Sequence, residues 1–106
     1  SVEPLDGEAA ERAIAAGEPF PIAFGGLGLA AVHRDSLWEV RKDLPAIREP
    51  GLFWHPYCLP FVRHGDYHGD DRSLCARLRS AGVELVADPR LRVGHAVTTI
   101  IDRLRG

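Results

Sequence analysis

The sequence predicts a mixed α/β (α+β) fold, with a small mixed sheet flanked by helices, in a single domain spanning residues 1–106. Three observations predict it. An apolar stripe of helical period runs through 70–81, a shorter one runs through 7–16, and brief strand-like apolar runs lie between and after them. The length of 106 residues leaves room for one modest core, since a chain this short buries roughly 60–70% of the surface its unfolded form exposes. With 45% hydrophobic and 26% charged residues, the composition is that of an ordinary globular protein.

The first helix is expected from Gly7 to Ala16. Ala9, Ala10, Ala13 and Ile14 share a face, Glu8 and Glu11 stand near the positive end of the dipole, and Gly17 is the stop. Pro19-Phe20-Pro21 then breaks any helix. An apolar run from Ile22 to Val32 follows, interrupted by Gly25, Gly26 and Gly28. Glycines in such a run mark a bulge or a close approach to the backbone, and Leu29 to Val32 is the firmest strand in it. Asp35 or Ser36 is suited to cap a brief helix through Leu37, Trp38 and Val40. From Lys42 to Tyr67 no period is visible. Pro45, Pro50, Pro56 and Pro60 punctuate that segment, with Phe53, Trp54, Tyr57 and Phe61 between them, so an irregular but packed loop is expected, of a length that is often functional. The strongest helix spans Asp70 to Ala81: Leu74, Cys75, Leu78 and Ala81 form its stripe, and Gly82 ends it. Val83 to Ala87 reads as a strand, Asp88-Pro89 as a turn, Leu91 to His95 as a second strand and Thr98 to Leu104 as a final helix.

Charge and cysteine usage exclude several classes. Thirteen Lys and Arg against fifteen Asp and Glu give a net charge of −2, which argues against nucleic-acid binding through a concentrated positive field. The arginines gather in the C-terminal third, where they either meet phosphates or solvate helix faces. Cys58 and Cys75 are too few for a disulfide scaffold, and a reduced, buried Cys75 is the simplest reading. No apolar run approaches the ~20 residues that span a bilayer, and no basic-then-apolar leader begins the chain. The expectation is a cytoplasmic polypeptide without a membrane span.

Asp70 and Asp71, after Gly69, are the first candidates for chemistry. A single acid at a helix start caps orphan N–H groups, which accounts for one of the two. The other is free to take a proton from an attacking hydroxyl. His95 ends a strand, either as a hydrogen-bonded histidine or as a metal ligand. The tract His55, His64, Asp66, His68, Asp70, Asp71 matches no zinc spacing, so local hydrogen-bonding roles are expected for it. The glycines at 25, 26 and 28 lack the strand-then-helix context of a nucleotide fingerprint.

The order of these features resembles family 2-like glycosyltransferases of the GT-A fold. The similarity runs through Gly26-Leu27-Gly28-Leu29-Ala30-Ala31-Val32-His33-Arg34-Asp35, then the aromatic loop, then Gly69-Asp70-Asp71-Arg72-Ser73-Leu74-Cys75-Ala76-Arg77-Leu78, Ala81-Gly82, Asp88-Pro89 and Val93-Gly94-His95. It covers about 25–96. What it implies is an acceptor-side, C-terminal unit of a nucleotide-sugar glycosyltransferase. Asp71 would be the catalytic base, Asp70 and Trp54 would contact the acceptor, and Gly26 and Gly28 would lie beside the donor sugar. His95 would help hold a Mg or Mn ion on the nucleotide diphosphate, where the ion neutralises the leaving group. The family's nucleotide-binding half and its Asp-x-Asp motif are not in these residues. The resemblance therefore implies a partial GT-A-like unit that works with a missing N-terminal half, or a non-catalytic module that pairs with itself or another chain.

Overall fold

The computed structural model describes residues 2–26 and 30–91. Its strands are β1 (Val2–Pro4), β2 (Phe20–Gly25), β3 (Ile47–Glu49), β4 (Leu52–Trp54), β5 (Phe61–Arg63), β6 (Asp66–His68) and β7 (Leu85–Ala87). Its helices are α1 (Gly7–Ala16), α2 (Arg34–Arg41) and α3 (Asp70–Ser80). The α+β class stands, but the sheets are small and antiparallel rather than mixed. β1, β2 and β7 form one three-stranded sheet with β2 in the centre, and β3–β4 and β5–β6 form separate two-stranded sheets. β2 explains the antiparallel choice. Phe20 and Ile22 are buried while Pro21 is exposed, and an antiparallel sheet tolerates one solvated face where a parallel one is covered on both.

α1 keeps its expected bounds, and its ends show why. Asp6 caps it, its carboxylate accepting from the N–H groups of Glu8 at 3.0 Å and Ala9 at 3.2 Å. Gly17 takes a left-handed φ of 71°, so that the N–H of Glu18 reaches back to Ala13 O at 2.8 Å. This is a Schellman ending. α3 ends the same way, on Gly82 with φ 82° and the N–H of Val83 bonded to Leu78 O at 3.0 Å. α2 begins earlier than expected, because His33 rather than Asp35 or Ser36 is the cap: its Nδ1 accepts from the Asp35 N–H at 3.1 Å.

One strand expectation is corrected. The strand of the glycine-interrupted run is Phe20–Gly25, and residues 30–32 lie outside any strand. A strand exists where partners reach it, and β1 and β7 pair only with residues 20–25. Pro21 is tolerated in this central strand because its carbonyl accepts from the Leu5 N–H at 3.3 Å. Its missing donor therefore faces β1 just where β1 ends. Between the pairs Glu3–Phe24 and Pro4–Ile22, Ala23 has no partner on β1, a bulge that lies ahead of the glycines rather than at them.

The segment expected to be an irregular loop instead holds two hairpins. Glu49 pairs with Leu52 across Pro50-Gly51, and Arg63 pairs with Asp66 across His64-Gly65. Gly51 has φ 75°, and His64 and Gly65 have φ 52° and 80°. Two consecutive positive values define a type I′ turn, whose twist suits a two-residue hairpin.

The core has two lobes joined at Leu85. Ala10, Phe20 and Ile22 pack with Ala13, Leu85 and Ala87, while Val40, Leu74 and Leu78 pack with Leu44, Tyr57, Val83 and Leu85. α3 thus lies between the sheet and α2. Cys75 is buried and free, and Cys58 is exposed and free. No helix among the described residues is long and apolar enough to cross a membrane. The expected strand 91–95 and helix 98–104 lie outside the described residues, apart from Leu91.

Candidate functional site

The candidate site is the start of α3. Gly69, extended at φ −70° and ψ −167°, occupies the cap position with no side chain to offer. One orphan donor is met from within the helix, and a side-chain bond to the backbone tightens the same turn. Asp70 Oδ1 accepts the N–H of Asp71 at 2.8 Å, and Ser73, fully buried, donates its hydroxyl to Asp70 O at 2.8 Å. One acid of the pair is thus engaged in ordering the first turn, where the helix dipole also favours it. The other is not. Asp71 is a half-buried residue, and its carboxylate has no hydrogen bond or ion pair among the described residues.

Arg72 anchors this turn to the sheet. Its guanidinium pairs with the Glu3 carboxylate on β1 and lies over the Phe24 ring, 4.3 Å from the centroid. The hydrogen bond from Arg72 holds the Glu3 carboxyl below its ordinary value. Cys58 also lies close by. Burial of the thiol raises its pKa, Asp70 raises it further, Arg77 opposes and Asp71 adds to the rise.

The other expected site residues come from separate elements. Trp54 ends β4, in the β3–β4 sheet, across from Ile47. Gly26 follows β2 and is exposed. Gly28 and His95 lie outside the described residues. Among the described residues no group of three or more His, Cys, Asp or Glu side chains is arranged to hold a metal ion. The Mg or Mn expectation rests on His95.

The histidine tract behaves differently from its expected local hydrogen bonding. His64 is in the β5–β6 turn, while His55 and His68 engage through their rings. His55 lies edge-on to Phe53 at 5.6 Å, and His68 stacks on Phe61 at 4.7 Å. Both ring nitrogens of His55, Nδ1 of His68 and Nε1 of Trp54 are buried without a protein hydrogen-bond partner. Buried polar atoms are normally paired with protein or water, so the hairpins carry polar groups that the fold itself does not satisfy.

Sequence reasoning did not pick out Arg63, and it gave Arg77 two readings shared with the other C-terminal arginines, a phosphate contact or a solvated helix face. Arg77 is half-buried, donates from Nη1 to Tyr57 O at 2.7 Å, and lies 5.1 Å from the Phe61 centroid, with Arg63 at 5.0 Å from the same ring. The available signal was the alternation of Phe61 and Arg63 before His64-Gly65, which places both on one face of a strand.

No protein-family model, curated protein or solved structure matches this chain.

Proposed function

We propose that this chain is the acceptor side of a nucleotide-sugar glycosyltransferase, with Asp71 as the base. The observation that carries the reading is the division of labour at the start of α3. Asp70 orders the turn and leaves the carboxylate of the half-buried Asp71 unpartnered beside it. In the reaction, Asp71 takes the proton of an acceptor hydroxyl as its oxygen bonds to the anomeric carbon and the nucleoside diphosphate departs with the glycosidic electron pair. Asp70 and Trp54 contact the acceptor, and Gly26 and Gly28 leave space for the donor sugar. His95, together with groups from a nucleotide-binding half, would hold a divalent ion on the nucleotide diphosphate, where it would neutralise the leaving group. The test is Asp71→Asn in a protein that joins this unit to such a half. Transfer should fall by at least the ~10²-fold that a general base contributes, with acceptor binding retained; undiminished transfer rejects the reading.

A second reading, a non-catalytic binding or oligomerisation module, is favoured by one observation. Pro21 and Val86 face each other on the side of the sheet away from the core, and Val86 is 57% exposed. On this reading Asp71→Asn leaves the chain's association unchanged, whereas Val86→Lys disrupts it, as sedimentation would record.

A further inference from the structure

We propose that Arg63 and Arg77, held against the Phe61 ring, form with Ser80 a binding site for a phosphate group, as the free ion or as a small phosphate ester. This site is independent of the sugar-transfer reading. Arg77 is seven residues beyond Asp70, about 10 Å along α3, and it opens on a cavity of about 180 Å³ that Asp71 does not line. A water takes about 30 Å³ of liquid volume, so the cavity has room for several waters or one phosphate group.

Arg63 comes from β5 and Arg77 from α3, and both line this cavity together with Ser80, Asp43, Val40 and Leu44. Phe61 brings the two guanidinium groups together, at 5.0 and 5.1 Å from its centroid. That places two like charges at one wall. Neither arginine is in an ion pair among the described residues, Asp43 included. Each guanidinium has five N–H donors, and Arg77 spends only Nη1, on Tyr57 O. Burial lowers the Arg77 pKa, Cys58 opposes, and the charge of Arg63 lowers it further. A bound anion relieves both the desolvation and the repulsion.

The donor set selects the ligand class. One guanidinium fork satisfies a carboxylate, whereas two forks from separate elements plus a hydroxyl suit the several oxygens of a phosphate. The carbonyls at the end of α3 repel anions, and two of them are occupied within the helix end. Leu78 O accepts from Val83 and Ala81, and Arg79 O accepts from Gly82. Among the described residues Asp43 is the one acid on this wall, and it opposes the anion.

The test is an NMR titration of the chain that follows the guanidinium Nε–H signals with inorganic phosphate, glycerol 3-phosphate and, at matched ionic strength, chloride. The expected result is saturable shifts at Arg63 and Arg77 with the phosphates and none with chloride. Tighter binding of glycerol 3-phosphate identifies an ester site, and equal or weaker binding identifies a site for the free ion. Arg63→Gln, at an exposed side chain without a backbone bond, should weaken binding about tenfold, in the range of a lost charge-assisted contact. Asp43→Asn should tighten it. Arg77→Lys, which keeps the charge and loses the fork, should weaken it with the amide spectrum preserved. Shifts that chloride reproduces, no saturation, or an Arg63→Gln affinity equal to that of the native chain would each overturn the proposal.

Discussion

The Asp70 carboxylate accepts the backbone N–H of Asp71 at 2.8 Å, so the first acid of the pair orders the helix that presents the second. The two side chains should therefore differ in what their removal does to stability. Asp70→Ala loses a cap-like bond and a favourable dipole contact and should cost about 1 kcal/mol. Asp71→Asn removes a charge without a partner and should cost at most about 0.5 kcal/mol, mainly through the dipole. Urea unfolding of both variants measures this. A larger loss from Asp71→Asn would make Asp71 a structural residue and withdraw it as a base.

Gly25 is the place where the sheet comes closest to overpacking. A Cβ at this position would stand 3.0 Å from Ile22 Cδ1, and Ile22 is buried in the core. The Gly25 carbonyl also receives the Cys75 S–H at 3.5 Å, which ties β2 to α3. Gly25→Ala should destabilise the fold by about 1–3 kcal/mol, the range for added methyl groups in a packed core. Ile22→Val removes the obstructing methyl, so the double variant should be more stable than the sum of the single effects. Additive effects in denaturant unfolding would show that the two positions do not conflict.

The helices were legible where chain-local chemistry fixes them. Gly17 and Gly82 end α1 and α3 because each adopts a positive φ that returns the next N–H to the helix. The apolar stripe Leu74, Cys75, Leu78, Ala81 packs as its spacing requires. The strands were less legible because partners choose them: β2 is set by β1 and β7, both remote in sequence from much of its run. The two hairpins carried local signals in Pro50-Gly51 and His64-Gly65, masked by prolines and three-residue strands too short to show alternation. The acidic pair of the site was visible from its place at a helix start. The pairing of Arg63 with Arg77 around Phe61 was not, since it depends on how β5 meets α3.

Asp88 closes the turn after β7. Its Oδ1 accepts from Arg90 N at 3.0 Å and Arg90 Nε at 2.9 Å, and Oδ2 accepts from Nη2 at 2.7 Å. The side-chain bonds come first and the backbone bond second in lowering its pKa from 3.8 to about 2. A depressed carboxylate pKa contributes stability that is present above the unfolded value and lost as pH falls through the folded one. The turn should thus hold at pH 4 and loosen between about 3.8 and 2. The Asp88 carboxyl ¹³C signal should titrate near 2 and return toward the ordinary value in Arg90→Ala. An unshifted midpoint in the native chain would show that the bridge does not persist in solution.

The β5–β6 turn offers the sharpest test of how the fold holds the arginine pair. Gly65 has φ 80° and His64 φ 52°, and a side chain at the first of these is strained whatever space surrounds it. A Cβ on Gly65 would meet nothing within 4 Å, so the penalty of Gly65→Ala is purely conformational. It should cost about 1 kcal/mol, as left-handed backbone does for residues other than glycine. His64→Asn, which suits a positive φ better, should be neutral or slightly stabilising. Because the hairpin is short, the strain should appear locally as well. Amide exchange in β5 and β6 should accelerate in Gly65→Ala and slow or stay constant in His64→Asn. Phe61 is carried by this hairpin and touches both guanidinium groups, so loosening the turn should also disperse the Arg63 and Arg77 Nε–H signals toward their solvated positions. Unchanged exchange and unchanged arginine signals in Gly65→Ala would mean that α3, rather than the turn, sets the position of the ring.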